Sequence, residues 1–264
     1  MQVAIEKAKK AGTGWVSVQN SNHFGIAAHH AMIALEHDMI GMAMSNASPL
    51  VAPTFSIDRM LGTNPICVAA PAGREPAFVA DMSTTTAANG KLEILQRKNL
   101  KTPSGWVQDK DGNPSNDPQE LKRGGALLPL GGDREHGSHK GYALGAIVDI
   151  FSALLSGANY APWTPPFPVY VPMPAQQPGK GIGHFFGALR IDAFRPADEF
   201  KQHMDNWIKG FRSCRTIPGN ERVLVPGDPE REMETVRMKN GIPLPEPVVV
   251  DLKKLAEKTG LLFL

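Results

Sequence analysis

Apolar and polar positions along this chain repeat with two different periods, and the switches between them mark its elements. Residues 2–10 carry apolar positions among lysines at helical spacing and stop at Gly12 and Gly14, which predicts a helix. Trp15 to Val18 alternates as a strand. Residues 24–37 return to helical spacing, and Ile40 to Met44 reads as a second strand entered through Asp38. Ile66 to Ala70 and Phe78 to Ala80 are further strands across the turn-rich PAGREP. Leu144, Ile147, Val148, Phe151, Leu154 and Leu155 recur at helical spacing and predict a strong amphipathic helix after the polar loop GGDREHGSHKG. The seven prolines of 161–181 make that stretch a loop. Gly183 to Ile191 reads as a strand and Glu199 to Phe211 as a helix. Pro243, Pro245 and Pro247 make 240–250 extended, ahead of a last short helix at 251–258. Residues 98–125 are polar and turn-rich, a surface excursion that could serve as a lid or packing arm. Strands alternating with helices predict an α/β core on a largely buried sheet.

Composition narrows the partners. A hydrophobic content of 42%, a charged content of 20% and a net charge of +2 describe a globular chain with a substantial core. No long basic run is present, so nucleic acid and membrane surfaces are not favoured. Cys67 and Cys214 form no CxxC pair and no disulfide framework, which fits a reducing compartment and a cytoplasmic location. The segment Tyr142 to Leu155 contains Asp149 and is too short to span a bilayer.

The candidate chemistry gathers at element seams. His23 follows a predicted strand at Asn20-Ser21-Asn22, with Asn22 or Ser21 as helix cap and His23 in the first helical turn. A histidine there suits proton transfer to or from a substrate oxygen; a structural histidine is the competing reading. His23, His30 and His37 recur every seven residues. Seven residues of straight helix span roughly 10 Å, too far for a shared zinc with ligands at about 2 Å, so no metal is expected. The turns SNASPL (45–50) and GTNP (62–65) allow close approach of a flat ligand or serve as plain turns. Asp81-Met82-Ser83 could hold a ribose hydroxyl or cap the following residues. In GSHKGYALG (137–145), Lys140 and a helix N-terminus suit a phosphate or carboxylate. No GxGxxG follows a strand, so the usual dinucleotide fingerprint is absent.

In combination, GWVSVQNSNHFG (14–25), MSNASPLVAPTF (44–55), MLGTNPI (60–66), FVADMS (78–83), GGALLPLGG (124–132), SHKGYALG (138–145) and LLSGA (154–158) resemble the malate/L-lactate dehydrogenase family. That family also includes ureidoglycolate and sulfolactate dehydrogenases and piperideine-2-carboxylate reductase. The resemblance implies an α/β fold with a non-Rossmann nicotinamide-binding domain, a mixed sheet and a helical C-terminal segment. It implies a division into a cofactor-binding and dimerisation core at 1–195 and a helical segment at 196–264. It implies hydride transfer between NAD or NADP and a small 2-hydroxy or 2-keto acid, in a homodimer. His23 falls at the family's acid/base. Asn46, Ala47, Ser48, Asp81, Met82, Ser83, His139 and Lys140 fall where the cofactor is held, and Thr63 and Asn64 where the substrate lies.

Three departures from the family pattern qualify that expectation. The family's N-terminal Ser-His-Gly…Arg substrate motif does not occur in this sequence, which raises the alternative of a truncated, non-catalytic relative that dimerises or binds cofactor only. Asn89 stands where an arginine is common, which favours NAD over NADP. Ser138 replaces a glycine before His139. A cyclic imine or ureidoglycolate-type substrate is the remaining alternative.

Overall fold

The computed structural model describes residues 1–263. The chain opens with α1 (Gln2–Ala11), β1 (Thr13–Ser21) and α2 (Ala27–Met32), which tightens into a 3-10 turn at Ile33–His37 before β2 (Met39–Ser45). β3 (Ile66–Ala70) and β4 (Phe78–Met82) follow, then α3 (Asn89–Arg97) and the two-residue strands β5 (Val107–Gln108), β6 (Pro114–Ser115) and β7 (Ala126–Leu127). α4 (Ser138–Asp149) runs into a π-helical turn at Ile150–Leu154. β8 (Ile182–Arg190), α5 (Ala197–Arg212), α6 (Asp228–Asn240) and α7 (Glu246–Thr259) complete the order. Contacts divide the chain into two compact units, one of Met1–Gly227 and one starting at Asp228, so α5 falls in the first. Among the described residues no helix is long and apolar enough to cross a membrane.

The α/β class holds, but where a mixed sheet was expected every strand ladder is antiparallel. The main sheet has the order β1-β8-β2-β3-β4. β8 is buried from Ile182 to Ala188 because it lies between β1 and β2 with helices on both faces, which explains its run GHFFGAL, apolar but for His184. One face packs on α1 and α2 through Ile5, Ala8, Ala31, Ala43, Cys67 and Phe186. The other packs on α4 through Met44, Val148 and Phe185. The approach is close on both sides. A Cβ on Gly41 would stand 2.0 Å from the Ala31 carbonyl oxygen, and one on Gly183 2.0 Å from that of Ser152.

Several local expectations change. The predicted helix at 24–37 begins only at Ala27. Gly25 takes φ 86, and Phe24 leaves the helical path to stack on the His184 ring at 4.5 Å. Neither Ser21 nor Asn22 caps α2. The Asp81 carboxylate does, accepting the Ala28 N–H at 2.7 Å. The amphipathic helix predicted through Leu155 is α-helical only to Asp149, and its apolar positions divide. Val148 is buried, whereas Ile147, Ile150, Phe151, Leu154 and Leu155 are exposed. The 98–125 excursion carries β5 and β6, which join β7 just beyond it in a three-stranded sheet, β6-β5-β7, over a core of Val107, Leu121 and Leu127 with Leu50, Val51, Leu61 and Leu92. α7 starts at Glu246 with Pro247 in its first turn, where a helix needs no N–H donor. The strongly charged α6 carried no legible apolar period.

Candidate active site

Strand ends bring four loops to one end of the main sheet: 22–26 after β1, 46–49 after β2, 62–65 before β3, and the proline-rich strap before β8. An irregularity in β1 between Val18 and Ser21, with Asn20 at φ 56, turns the chain out of the sheet and delivers the His23 loop. His23 is exposed at the mouth of a cleft of about 770 Å³. Its Nδ1 accepts the Gly25 N–H at 3.1 Å, so the neutral ring carries its hydrogen on Nε2. Phe167 of the strap lies against the ring, centroids 5.2 Å apart. Ala47, Ser48 and Thr63 line the same cleft with His23. The polar face of α3, carrying Asn89, Glu93 and Arg97, forms another wall with Lys122, and Tyr170 comes from the strap.

The remaining residues of these turns build the frame. Asn46 is buried. Its amide donates to the Asn159 carbonyl at 2.8 Å and to Thr164 Oγ1 at 3.0 Å, and its Oδ1 accepts the Gly183 N–H at 2.9 Å. It therefore ties the strap root to β8 while bordering a small inner recess of about 80 Å³ beside His23. Ser48 Oγ accepts the Phe167 N–H at 2.7 Å, tying the strap tip to the SNASP turn. Asn64 is fully buried at φ 34. Its Oδ1 accepts the Ala47 N–H at 3.0 Å and its amide donates to the Gly145 carbonyl at 2.9 Å, locking both turns to α4.

Besides Asn46, which borders only the inner recess, five expected cofactor residues do not line this cleft. Asp81 caps α2, Met82 is exposed at the end of β4, and Ser83 donates to the Thr85 carbonyl. His139 Nδ1 meets the Arg134 guanidinium at 2.8 Å, and Lys140 is exposed in the first turn of α4. Among the described residues no three His, Cys, Asp or Glu side chains gather as metal ligands.

Two buried titratable groups behind the cleft were not anticipated. His184 sits in register between Val18 and Ser45, and burial pushes its ring down to about 4, aided by the neighbouring His30 and His23 and opposed by the Asn22 carbonyl. Asp149 ends α4 at the π turn. Burial pushes its carboxyl up to about 6, opposed by the Ala161 N–H and the Asn46 amide. The sequence signal for His184 was one imidazole inside an otherwise apolar strand. For Asp149 it was a carboxylate interrupting the most apolar segment of the chain.

The comparisons agree with this architecture. The family model for malate/L-lactate dehydrogenase matches residues 1–253. A malate dehydrogenase of Pyrococcus horikoshii is 42% identical over 98% of this chain and 70% of its own length. A malate/(S)-sulfolactate dehydrogenase of Methanothermus fervidus is 38% identical over 99% of this chain and 71% of its own. The crystal structure of malate dehydrogenase from Entamoeba histolytica superposes with a TM-score of 0.87 at 34% identity, covering 99% of this chain and 73% of that one. By the extent of the family match and these identities, the chain belongs to the malate/L-lactate dehydrogenase family.

Proposed function

We propose that this chain interconverts a small 2-hydroxy acid and its 2-keto acid with a nicotinamide cofactor, and that His23 is the acid/base. The reading is carried by the His23 ring itself. It stands at the cleft mouth with Nδ1 occupied by the Gly25 N–H, so Nε2 is the atom left to exchange a proton. In reduction the imidazolium gives its Nε2 proton to the forming alkoxide, and in oxidation the ring with its hydrogen on Nδ1 takes the hydroxyl proton on Nε2. Both forms carry a hydrogen on Nδ1, so the ring turns away from the Gly25 N–H when it works. Phe167 against the ring shields that exchange from bulk water on one side.

The cleft fits an extended dinucleotide. Its volume lies within the range of cofactor pockets. Ala47, Ser48, Ala88 and Gly90 leave room for close approach, Tyr170 offers a flat face, and Arg97 and Lys122 supply positive charge for a diphosphate. The nicotinamide, when bound, supplies or accepts the hydride. Asn89, at a position where an arginine is common in the family, lies on this wall as a neutral amide hydrogen-bonded to Glu93, which supports NAD over NADP. Comparing turnover with the two nucleotides tests that preference, and faster turnover with NADPH would reverse it.

A homodimer is part of the same proposal. Trp15, Ile147, Ile150, Phe151, Leu154 and Leu155 leave a large apolar face exposed on β1 and the end of α4, the kind of patch a second copy covers. Sedimentation at micromolar concentration tests it, and a monomer there would refute it. A cytoplasmic location accords with the free thiols of Cys67 and Cys214; fractionation of the native host checks it.

The deciding experiment is NADH oxidation over a panel of 2-keto acids and one cyclic imine. Turnover is expected on a 2-keto acid, with His23→Ala losing roughly 10²–10⁴-fold in kcat while still binding nucleotide. Turnover of His23→Ala near that of the wild type refutes the acid/base role. Nucleotide binding with no turnover on any substrate refutes the enzyme reading in favour of a binding-only relative.

A further inference from the structure

His23 is held by residues outside its own loop. His184 is 3% exposed and lies at the start of the central strand β8. Its Nε2 stands 3.1 Å from the Asn22 carbonyl oxygen and 2.8 Å from Ser21 Oγ, and its Nδ1 2.9 Å from Ser45 Oγ. Phe24 stacks on the same imidazole, centroids 4.5 Å apart and planes 2° from parallel. Asn22 and Phe24 are the two neighbours of His23. One buried ring therefore grips the backbone before the proton-transfer histidine and the side chain after it.

A carbonyl oxygen only accepts, so the Asn22 contact requires the His184 hydrogen on Nε2; Nδ1 then accepts from the Ser45 hydroxyl, which in that tautomer does not donate to the Asn46 carbonyl 2.8 Å away. On the far side of Phe24, the His30 ring stacks at 4.8 Å, and its Nε2 reaches the Phe24 carbonyl oxygen at 2.9 Å. Residues 22–26 have no regular secondary structure to fix their path, so these contacts fix it.

We propose that His184 is a positioning residue for proton transfer: by clamping Asn22 and Phe24 it sets where the His23 ring stands in the cleft. This rests on the reading of His23 as acid/base. The clamp does not itself exchange a proton with substrate, since its two nitrogens face Ser45, Ser21 and Asn22 inside the protein. With the ring held neutral down to about 4, its grip is constant over the range in which the enzyme would work.

The test uses two isosteric halves of the imidazole. In His184→Gln the amide nitrogen reaches the Nε2 position and can donate to the Asn22 carbonyl. In His184→Asn the amide reaches only the Nδ1 position. His184→Asn is expected to lose ~10–10²-fold in kcat, the scale of a misplaced catalytic group, with nucleotide affinity unchanged. His184→Gln is expected to recover most of that loss. The His23 ring resonance, followed by NMR on the nucleotide-free protein, should shift in the Asn variant and return in the Gln variant. Equal kcat and equal His23 resonances in the two variants would overturn the proposal, as would a loss confined to nucleotide binding. His23→Ala is run beside them. If it keeps turnover, the acid/base reading fails, and the resonance still decides whether His184 places the ring. Should His184→Asn not fold, Phe24→Ala removes the other half of the clamp. It is then expected to show the same loss in kcat and a shifted His23 resonance, and a normal kcat would refute the clamp.

Discussion

Replacing Asp149 by Asn should change how stability depends on pH, and the sign follows from where the proton sits. In the folded chain burial holds the Asp149 proton up to about pH 6, whereas an unfolded aspartate releases it near 3.8. Between those values the folded state binds more protons, so the wild type loses stability as pH rises through the window. The gap, at about 1.4 kcal/mol per pH unit, amounts to about 3 kcal/mol. His184 works in the opposite direction. The unfolded ring takes up a proton near 6.5 and the folded ring only near 4, so stability rises with pH across that interval by a similar amount. The two contributions nearly cancel in the wild type. Asp149→Asn removes one and uncovers the other. Urea unfolding followed by tryptophan fluorescence at pH 4 to 7.5 should therefore show the variant gaining about 3 kcal/mol relative to wild type from the acid end to neutrality. Parallel curves for variant and wild type would mean that Asp149 is ionised normally in the fold, and the burial argument would be wrong.

Other perturbations test the packing and the reassigned turns. Gly41→Ala drives a methyl into the Ala31 carbonyl and should cost ~1–3 kcal/mol by chemical unfolding. Gly210→Ala, in α5 with nothing within 4 Å, should instead stabilise by ~0.5–1 kcal/mol; a loss on the same assay would contradict the open surroundings of that site. With a thiol-specific chromogenic reagent the native protein should react at Cys214 alone. Cys67 is buried, and burial, with Asp81 nearby, pushes its thiol up to about 12. Two rapid equivalents in the native state would refute that. Asp81→Ala should cost ~1 kcal/mol in stability through the lost cap on α2. Unchanged stability with a large drop in nucleotide affinity would return Asp81 to a cofactor role.

Much of the architecture was legible because it rests on local periodicity. The alternation of β1, the hairpin of β3 and β4, the apolar run of β8 and the prolines of the strap each carry their own signal within a few residues. The motif strings around His23, Ala47, Ser48 and Thr63 likewise pointed to turns that do meet at one cleft. Legibility failed where a distant group outbid a local pattern. Phe24 and Gly25 belonged to a helical stretch by spacing, yet the stack on His184, from a strand 160 positions later in the chain, pulls them out of it. The α4 stripe looked like a core face by spacing alone. Which side of it met the sheet depended on Met44 and Phe185, and most of the stripe stays on the surface.

The sequence by itself determined the order of α1, β1 to β4, α4, β8 and α5, the family and the histidine at the first strand–loop seam. These follow from short-range spacing and from strings whose residues are adjacent in the chain. Tertiary structure alone decided the antiparallel pairing, the use of Asp81 as a cap, the locking of Asn46 and Asn64 into the frame, and the grip of His184 on the loop of His23. Each depends on a hydrogen bond or ring contact between residues far apart in the chain. Burial, which sets the charge of His184 and Asp149, is a property of the packed sheet and not of any segment read alone.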